Sequence, residues 1–316
     1  MKRCMVSFAA VLFAAFTLNI EPAAQADSFG TSGNEFTIDF VTIGNAGNAA
    51  DTTTYGAVPY EYRVGKYEIT QDAITKATAS GMANVTAGAW TGNQPAANIT
   101  WYEAAAFVNW LNTSTGKTAA YNLTFSGNWS MNLWSSADAW QLGGENLYRN
   151  KDAFYFLPSE NEWYKAAYYN AAGTNYFLYP TASSTAPTAV ASGTSAGTAV
   201  YDSAASDPAI VASAGGLSPY GTMGQGGNVF EWNESAFDGS NSSSSENRAL
   251  RGGGWFSSSF GLRSSTRFDS VPSGEAVSYG FRVASPVAVP EPSTYAMALA
   301  GLACGGYSMF SRRRAR

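Results

Sequence analysis

Between Asp27 and Val289 this chain has no cysteine and no histidine; its two cysteines are Cys4 and Cys304, and histidine is absent from all 316 residues. A fold built from that stretch has no disulfide and no thiolate or imidazole metal clip, so burial and ion pairing must hold it together. With about 260 residues rich in aromatic side chains, the stretch is long enough to enclose one sizeable core. The same absence restricts the chemistry. Neither a Cys–His nor a Ser–His nucleophile can be assembled, and neither can a zinc, copper or non-haem iron centre with nitrogen or sulfur ligands. Hard cations with oxygen ligands are the metals that the composition allows. The stretch carries 12 basic and 21 acidic residues, a net charge of −9, which repels polyanions and argues against a nucleic-acid partner.

Both cysteines sit in the ends of the chain. Lys2 and Arg3, an apolar run from Met5 to Ile20 and the small-residue site Ala24-Gln25-Ala26 read as a secretory signal peptide over residues 1–26; an N-terminal membrane anchor is the alternative. At the other end, Pro290-Glu291-Pro292-Ser293-Thr294 leads into an apolar run from Tyr295 to Phe310, followed by Arg312, Arg313, Arg314 and Arg316. A helix over that run spans roughly 24 Å, enough to cross hydrocarbon with its flanks included, and the arginines favour a cytoplasmic end. Residues 287–316 resemble the PEP-CTERM sorting signal of bacterial exported proteins. That resemblance implies export, processing by an exosortase near Pro290–Pro292, membrane contact through the C-terminal segment, and delivery to the cell envelope, cell surface or extracellular matrix. A plain C-terminal anchor is the alternative.

Within residues 27–286 the elements are short. Glu35–Ile43 and Tyr60–Ile69 alternate apolar and polar residues and predict strands. Thr70 can cap a helix over 71–80. Thr100 and Glu103 form a capping-box pattern that predicts a helix over 101–112, and Ser159 and Glu162 repeat it ahead of a helix over 160–169. Residues 181–218, dominated by Ala, Ser, Thr, Gly and Pro, read as loop with a short strand at Ala209–Val211, and Ser235–Asn247 reads as a polar loop. The pattern predicts a single α+β domain with much irregular structure.

Five segments, Tyr62–Thr70, Pro95–Asn112, Phe156–Tyr168, Gly226–Trp232 and Arg251–Trp255 with Gly280-Phe281-Arg282, resemble in sequence and order the sulfatase-modifying, formylglycine-generating enzyme family. The resemblance implies a compact, irregular α+β fold of C-type-lectin-like kind. It also implies a copper-binding cysteine pair, whose counterparts here fall at Ser257 and between Gly261 and Ser264. Neither place holds a cysteine, and a serine hydroxyl is a poor ligand for copper(I). The iron branch of the family needs histidines, so no copper or iron is expected. The family's calcium site, carried over, uses the carbonyls of Gly227 and Val229 and the carboxylate of Glu231, and Gly224 stands where a fourth ligand's side chain is expected; a retained, weakened calcium site is one reading, and a tight turn with Glu231 paired to an arginine is the other.

Arg263, Arg267 and Arg282 are forks suited to carboxylates, and the first expectation is that they pair inside the domain. A ligand surface is the second reading, made of Trp255, Ser257, Ser258, Ser259, Arg263 and Ser264. Hydroxyls beside aromatics suit an extracellular glycan or peptide. Three functions follow: a non-catalytic binding protein, a formylglycine-generating oxidase acting on sulfatase cysteines, and a hydrolase drawing a carboxylate pair from Glu160, Glu162, Glu231 and Glu234. The missing cysteines favour the first.

Overall fold

The structure is a computed structural model describing residues 25–287. Residues 1–24 of the expected signal peptide (1–26) and 288–316 of the expected sorting segment (287–316) lie outside the described residues. Among the described residues no helix is long and apolar enough to cross a membrane.

The alternation in Phe36–Ile43 (β2) places Phe36, Ile38, Phe40 and Ile43 in the core. β2 pairs antiparallel with β1 (Gln25–Phe29) on one side and β3 (Tyr62–Gly65) on the other, and the last strand of the domain, β16 (Ala284–Pro286), closes the sheet on β3. The expected strand over 60–69 is shorter than its pattern. After Gly65 the backbone leaves the ladder, with Lys66 N–H donating to Asp39 O at 2.7 Å and Ile69 N–H to Phe281 O at 2.9 Å. The turn carries the Glu68 side chain into the interior.

The three helices begin where their caps are written. In α1 (Gln71–Ala79) the Thr70 hydroxyl accepts from Ala73 N–H at 3.1 Å. In α2 (Trp101–Ser114) the Thr100 hydroxyl accepts from Glu103 N–H at 3.1 Å, and the Glu103 carboxylate accepts from Thr100 N–H at 2.9 Å. α3 (Glu160–Tyr168) repeats the box with Ser159 and Glu162. Two tryptophans lock α2 against β12 (Phe230–Ala236): Trp101 Nε1 donates to Asn233 O and Trp232 Nε1 to Ile99 O, each at 3.0 Å.

Several small elements were not expected from the sequence. They are the hairpin of β4 (Asn122–Phe125) and β5 (Trp129–Asn132), the pair β6 (Ala139–Trp140) and β7 (Asn146–Asn150), and the pair β8 (Tyr169–Asn170) and β9 (Asn175–Tyr176). The small-residue segment 181–218 is stitched by backbone bonds, including a parallel pair of β10 (Thr188–Ala189) and β11 (Thr198–Ala199). The strand expected at Ala209–Val211 is instead a 3-10 turn, Val211–Ser213, because Val211 N–H bonds Asn93 O at 2.9 Å and Ser213 N–H closes on Ile210 O at 2.8 Å. The second sheet runs β14 (Phe268–Ser270), β13 (Arg248–Arg251), β12 and β15 (Tyr279–Gly280), with β15 parallel to β12. The polar loop after Ala236 gathers on Glu246, which accepts from Ser240 Oγ at 2.8 Å, Ser242 Oγ at 2.9 Å and the Tyr148 hydroxyl.

Candidate functional site

Helix α3 and the second sheet meet across three buried ion-pair groups. Glu160, the first residue of α3, takes Arg251 Nε at 2.7 Å, Arg267 Nε at 2.6 Å and Arg267 Nη2 at 2.8 Å. Glu231 on β12 takes Arg282 Nη2 at 2.5 Å and Nε at 2.6 Å, with Trp163 Nε1 donating at 2.7 Å. Arg149 on β7 grips two carboxylates at once: Nη2 lies 2.9 Å from Glu162 and 2.7 Å from Glu234. Its guanidinium stacks 3.6 Å from the centre of the Phe156 ring.

These environments set the charges. Burial pushes the Glu162 carboxyl up, but Arg149 and the hydrogen bonds from Ser159 N–H and Tyr60 OH overcome it and hold the group below its ordinary value. For Glu234 burial wins over Arg149, and its carboxyl sits above the ordinary value. Glu160, Glu162, Glu231 and Glu234, the carboxylates from which a hydrolytic pair could be drawn, are therefore all buried against arginines. In this state none presents a free oxygen to a bound water or substrate.

The strip Arg251–Phe268 divides the expected ligand residues. Trp255 is buried and packs edge-to-face on Trp90 at 5.3 Å and on Phe256 at 5.0 Å. Ser264 is buried too: its carbonyl accepts from Arg251 Nη1 at 2.7 Å and its N–H donates to Leu178 O at 2.9 Å. Ser257 is half-buried, and its hydroxyl accepts from Gly254 N–H at 2.9 Å. Ser258 and Ser259 open the short 3-10 turn Ser259–Leu262 at the surface. Arg267 and Arg282 pair inside the domain as expected, whereas Arg263 meets no carboxylate. It donates to the Tyr179 hydroxyl at 3.1 Å and lies over the exposed Phe260 ring. What the sequence reading did not single out is Phe256 and Phe260, which are 50% and 59% exposed. Their one signal in the sequence was their place among serines after the glycine run. The face that reaches solvent is thus Phe256, Ser258, Ser259, Phe260 and Arg263, with Ser257 at its inner edge.

The positions carried over from the copper chemistry lie side by side. A Cβ on Gly261, the first residue of the stretch in which the second place falls, would stand 3.1 Å from Ser257 Cβ, and neither Ser257 nor Gly261–Ser264 offers a thiol. These residues do not fit copper. The calcium set meets a different obstacle. Gly227 and Asn228 turn the chain with left-handed φ of 85° and 60°, and Val229 and Glu231 follow on the buried strand. The Glu231 carboxylate is already neutralised by Arg282. At Gly224 a Cβ would stand 2.7 Å from the Glu68 carboxylate, which occupies the space that a side chain there would need. Burial and the charge of Glu231 push the Glu68 carboxyl well above its ordinary value, while Asn228 Nδ2 donates to both its oxygens at 2.9 and 3.1 Å. Of the set Gly227, Val229 and Glu231, the one carboxylate is thus bonded to Arg282 and Trp163 through both its oxygens.

Comparison with known proteins gives a match of residues 27–287 to the Sulfatase-modifying factor enzyme 1-like domain and of residues 288–314 to the PEP-CTERM protein-sorting motif. No curated protein matches the chain. Among solved structures the chain is similar to Treponema denticola variable protein 1, with 22% identity over 84% of this chain and 99% of that one and a TM-score of 0.57. It is also similar to CarF, with 18% identity over 79% of this chain and 99% of that one and a TM-score of 0.58. At these identities the likeness is one of fold. It agrees with the expected α+β domain of the formylglycine-generating-enzyme type.

Proposed function

The chain belongs to the Sulfatase-modifying factor enzyme 1-like family and carries a PEP-CTERM sorting motif, and from that membership we propose that it is an exported, surface- or matrix-delivered binding protein. The sorting motif implies an exosortase-type processing partner. In this reading the domain keeps the family's frame without its oxidase chemistry and holds an extracellular glycan or peptide on the face of Phe256, Ser258, Ser259, Phe260 and Arg263.

One observation carries the reading. At the locus where the family's chemistry places thiols, Ser257 Oγ accepts from Gly254 N–H, and the residues that reach solvent around it are two phenylalanines, two serines and an arginine. Two rings standing half out of the surface lose apolar hydration when a ligand covers them, and the hydroxyls and guanidinium beside them give direction. The alternative is oxidation of sulfatase cysteines, which needs a redox centre at this same locus.

A glycan and peptide array probed with the purified protein tests the proposal. Binding is expected in the wild type and at least about tenfold weaker after Phe256→Ser with Phe260→Ser, since two buried rings contribute on the order of 1–3 kcal/mol. Chelation of calcium is expected to leave the binding and the melting temperature unchanged, because Glu231 is committed to Arg282. If every hit survived the double substitution, the face would be removed from the account.

A further inference from the structure

A second binding place lies apart from that face. A cleft of about 240 Å³ opens between the Tyr55–Tyr60 loop, the Gly143-Gly144 turn, the first turn of α3 and the loop after β12. No residue of Trp255–Ser264 lines it. We propose that this cleft binds one neutral sugar ring, as a terminal or single residue of an extracellular saccharide.

Four neutral side chains of the cleft share one property: each has its acceptor half taken by the backbone. Asn161 Oδ1 accepts from Gly56 N–H at 2.9 Å and Asn241 Oδ1 from Ala236 N–H at 2.8 Å. Ser235 Oγ accepts from Glu160 N–H at 3.0 Å and Ser159 Oγ from Glu162 N–H at 3.3 Å. Among the described residues, the two amide nitrogens and the two hydroxyl hydrogens have no further partner. The backbone thus fixes four side chains and leaves their donors facing a ligand. A fitting ligand offers several oxygens at short spacing.

The walls add an apolar requirement. Trp140 Nε1 is tied to Leu142 O at 2.9 Å, and Tyr60 stands edge-on to the indole at 5.8 Å with its hydroxyl on Glu162 at 2.8 Å. Tyr55 lies against Arg267, 4.7 Å from its guanidinium. Rings held this firmly offer stacking surface at little entropic cost. A pyranose has both properties, with hydroxyls around its edge and C–H groups on its faces.

Charge decides between neutral and anionic ligands. The charged residues that line the cleft are Glu145, Glu160 and Arg149; Arg149 is already paired with Glu162 and Glu234, and Glu160 with Arg251 and Arg267. One negative charge is in excess, so an anion would be desolvated without a partner, despite the helix N-terminus nearby.

The test uses the full-length protein in a detergent without a sugar headgroup and saturation-transfer NMR with glucose, galactose, mannose, N-acetylglucosamine and glucuronate. At least one neutral sugar is expected to receive transfer. Ala57→Trp, which fills the cleft from an exposed position, should abolish the transfer at an unchanged melting temperature. Asn161→Asp keeps the bond to Gly56 but replaces the donor, and should weaken affinity about tenfold. The Phe256→Ser, Phe260→Ser double variant should leave transfer intact. No transfer to any neutral sugar, persistence in Ala57→Trp, or tighter binding of glucuronate than of the neutral sugars would overturn the proposal. Transfer lost in the Phe256→Ser, Phe260→Ser double variant would place the sugar on the other face and likewise overturn the proposal.

Discussion

Arg149→Met is expected to destabilise the domain by about 3–5 kcal/mol, because it leaves Glu162 and Glu234 buried together with no cation between them. For a domain of this size that lowers the melting temperature by on the order of 10 °C. The loss comes from the stranded carboxylates more than from any attraction the triad supplies. Replacing both carboxylates as well, in Arg149→Met with Glu162→Gln and Glu234→Gln, should therefore recover part of it. Thermal denaturation of the single and triple variants checks this. A triple variant less stable than the single one would show that the carboxylates hold the fold by their other bonds, Ser159 N–H to Glu162 and the Tyr121 hydroxyl to Glu234.

Gly227→Ala should cost about 3 kcal/mol or more, by a different route. Gly227 has φ of 85°, and a Cβ there would lie 2.1 Å from the Val200 carbonyl oxygen, a backbone atom with no rotamer to yield. Gly47, with φ of 77° and no heavy atom within 4 Å of its Cβ position, isolates the conformational part. Gly47→Ala should cost only about 1–2 kcal/mol. Chemical denaturation of both variants separates clash from backbone strain, and equal losses would mean that the strand adjusts around Gly227. The glycine of the Gly226–Trp232 segment then has a structural reason, close approach to Val200, independent of any metal.

The helix starts were legible in the sequence because a capping box is local: Thr100 with Glu103 and Ser159 with Glu162 need no other part of the chain. The alternation in Phe36–Ile43 was legible for the same reason. Arginines could be read as forks seeking carboxylates, but not assigned partners, since Arg149 and Glu234 lie 85 positions apart. Glu162 shows the limit from the other side. Read as a cap, it is one, and it also anchors Arg149. The β4–β5 hairpin went unread because its strands are short and rich in Asn, Thr and Ser, with no clear apolar alternation. Arg263 was expected to pair like its neighbours, but among the described residues it forms no salt bridge and donates to the Tyr179 hydroxyl instead. The sugar cleft is assembled from four segments with no local pattern in common, so no reading of one segment could find it.

The domain has the glycines at close backbone approaches, the caps and the arginine–carboxylate pairs that a tight frame requires, while Ser257 and the stretch Gly261–Ser264, where the resemblance places the redox cysteines, carry no thiol. The most direct measurement incubates the purified protein with a sulfatase peptide containing the target cysteine, copper and oxygen, and captures any aldehyde with a hydrazide. The account predicts unmodified peptide after many hours, alongside intact folding of the protein by thermal melt. Aldehyde formed in proportion to the protein, and lost on Ser257→Trp, would contradict it.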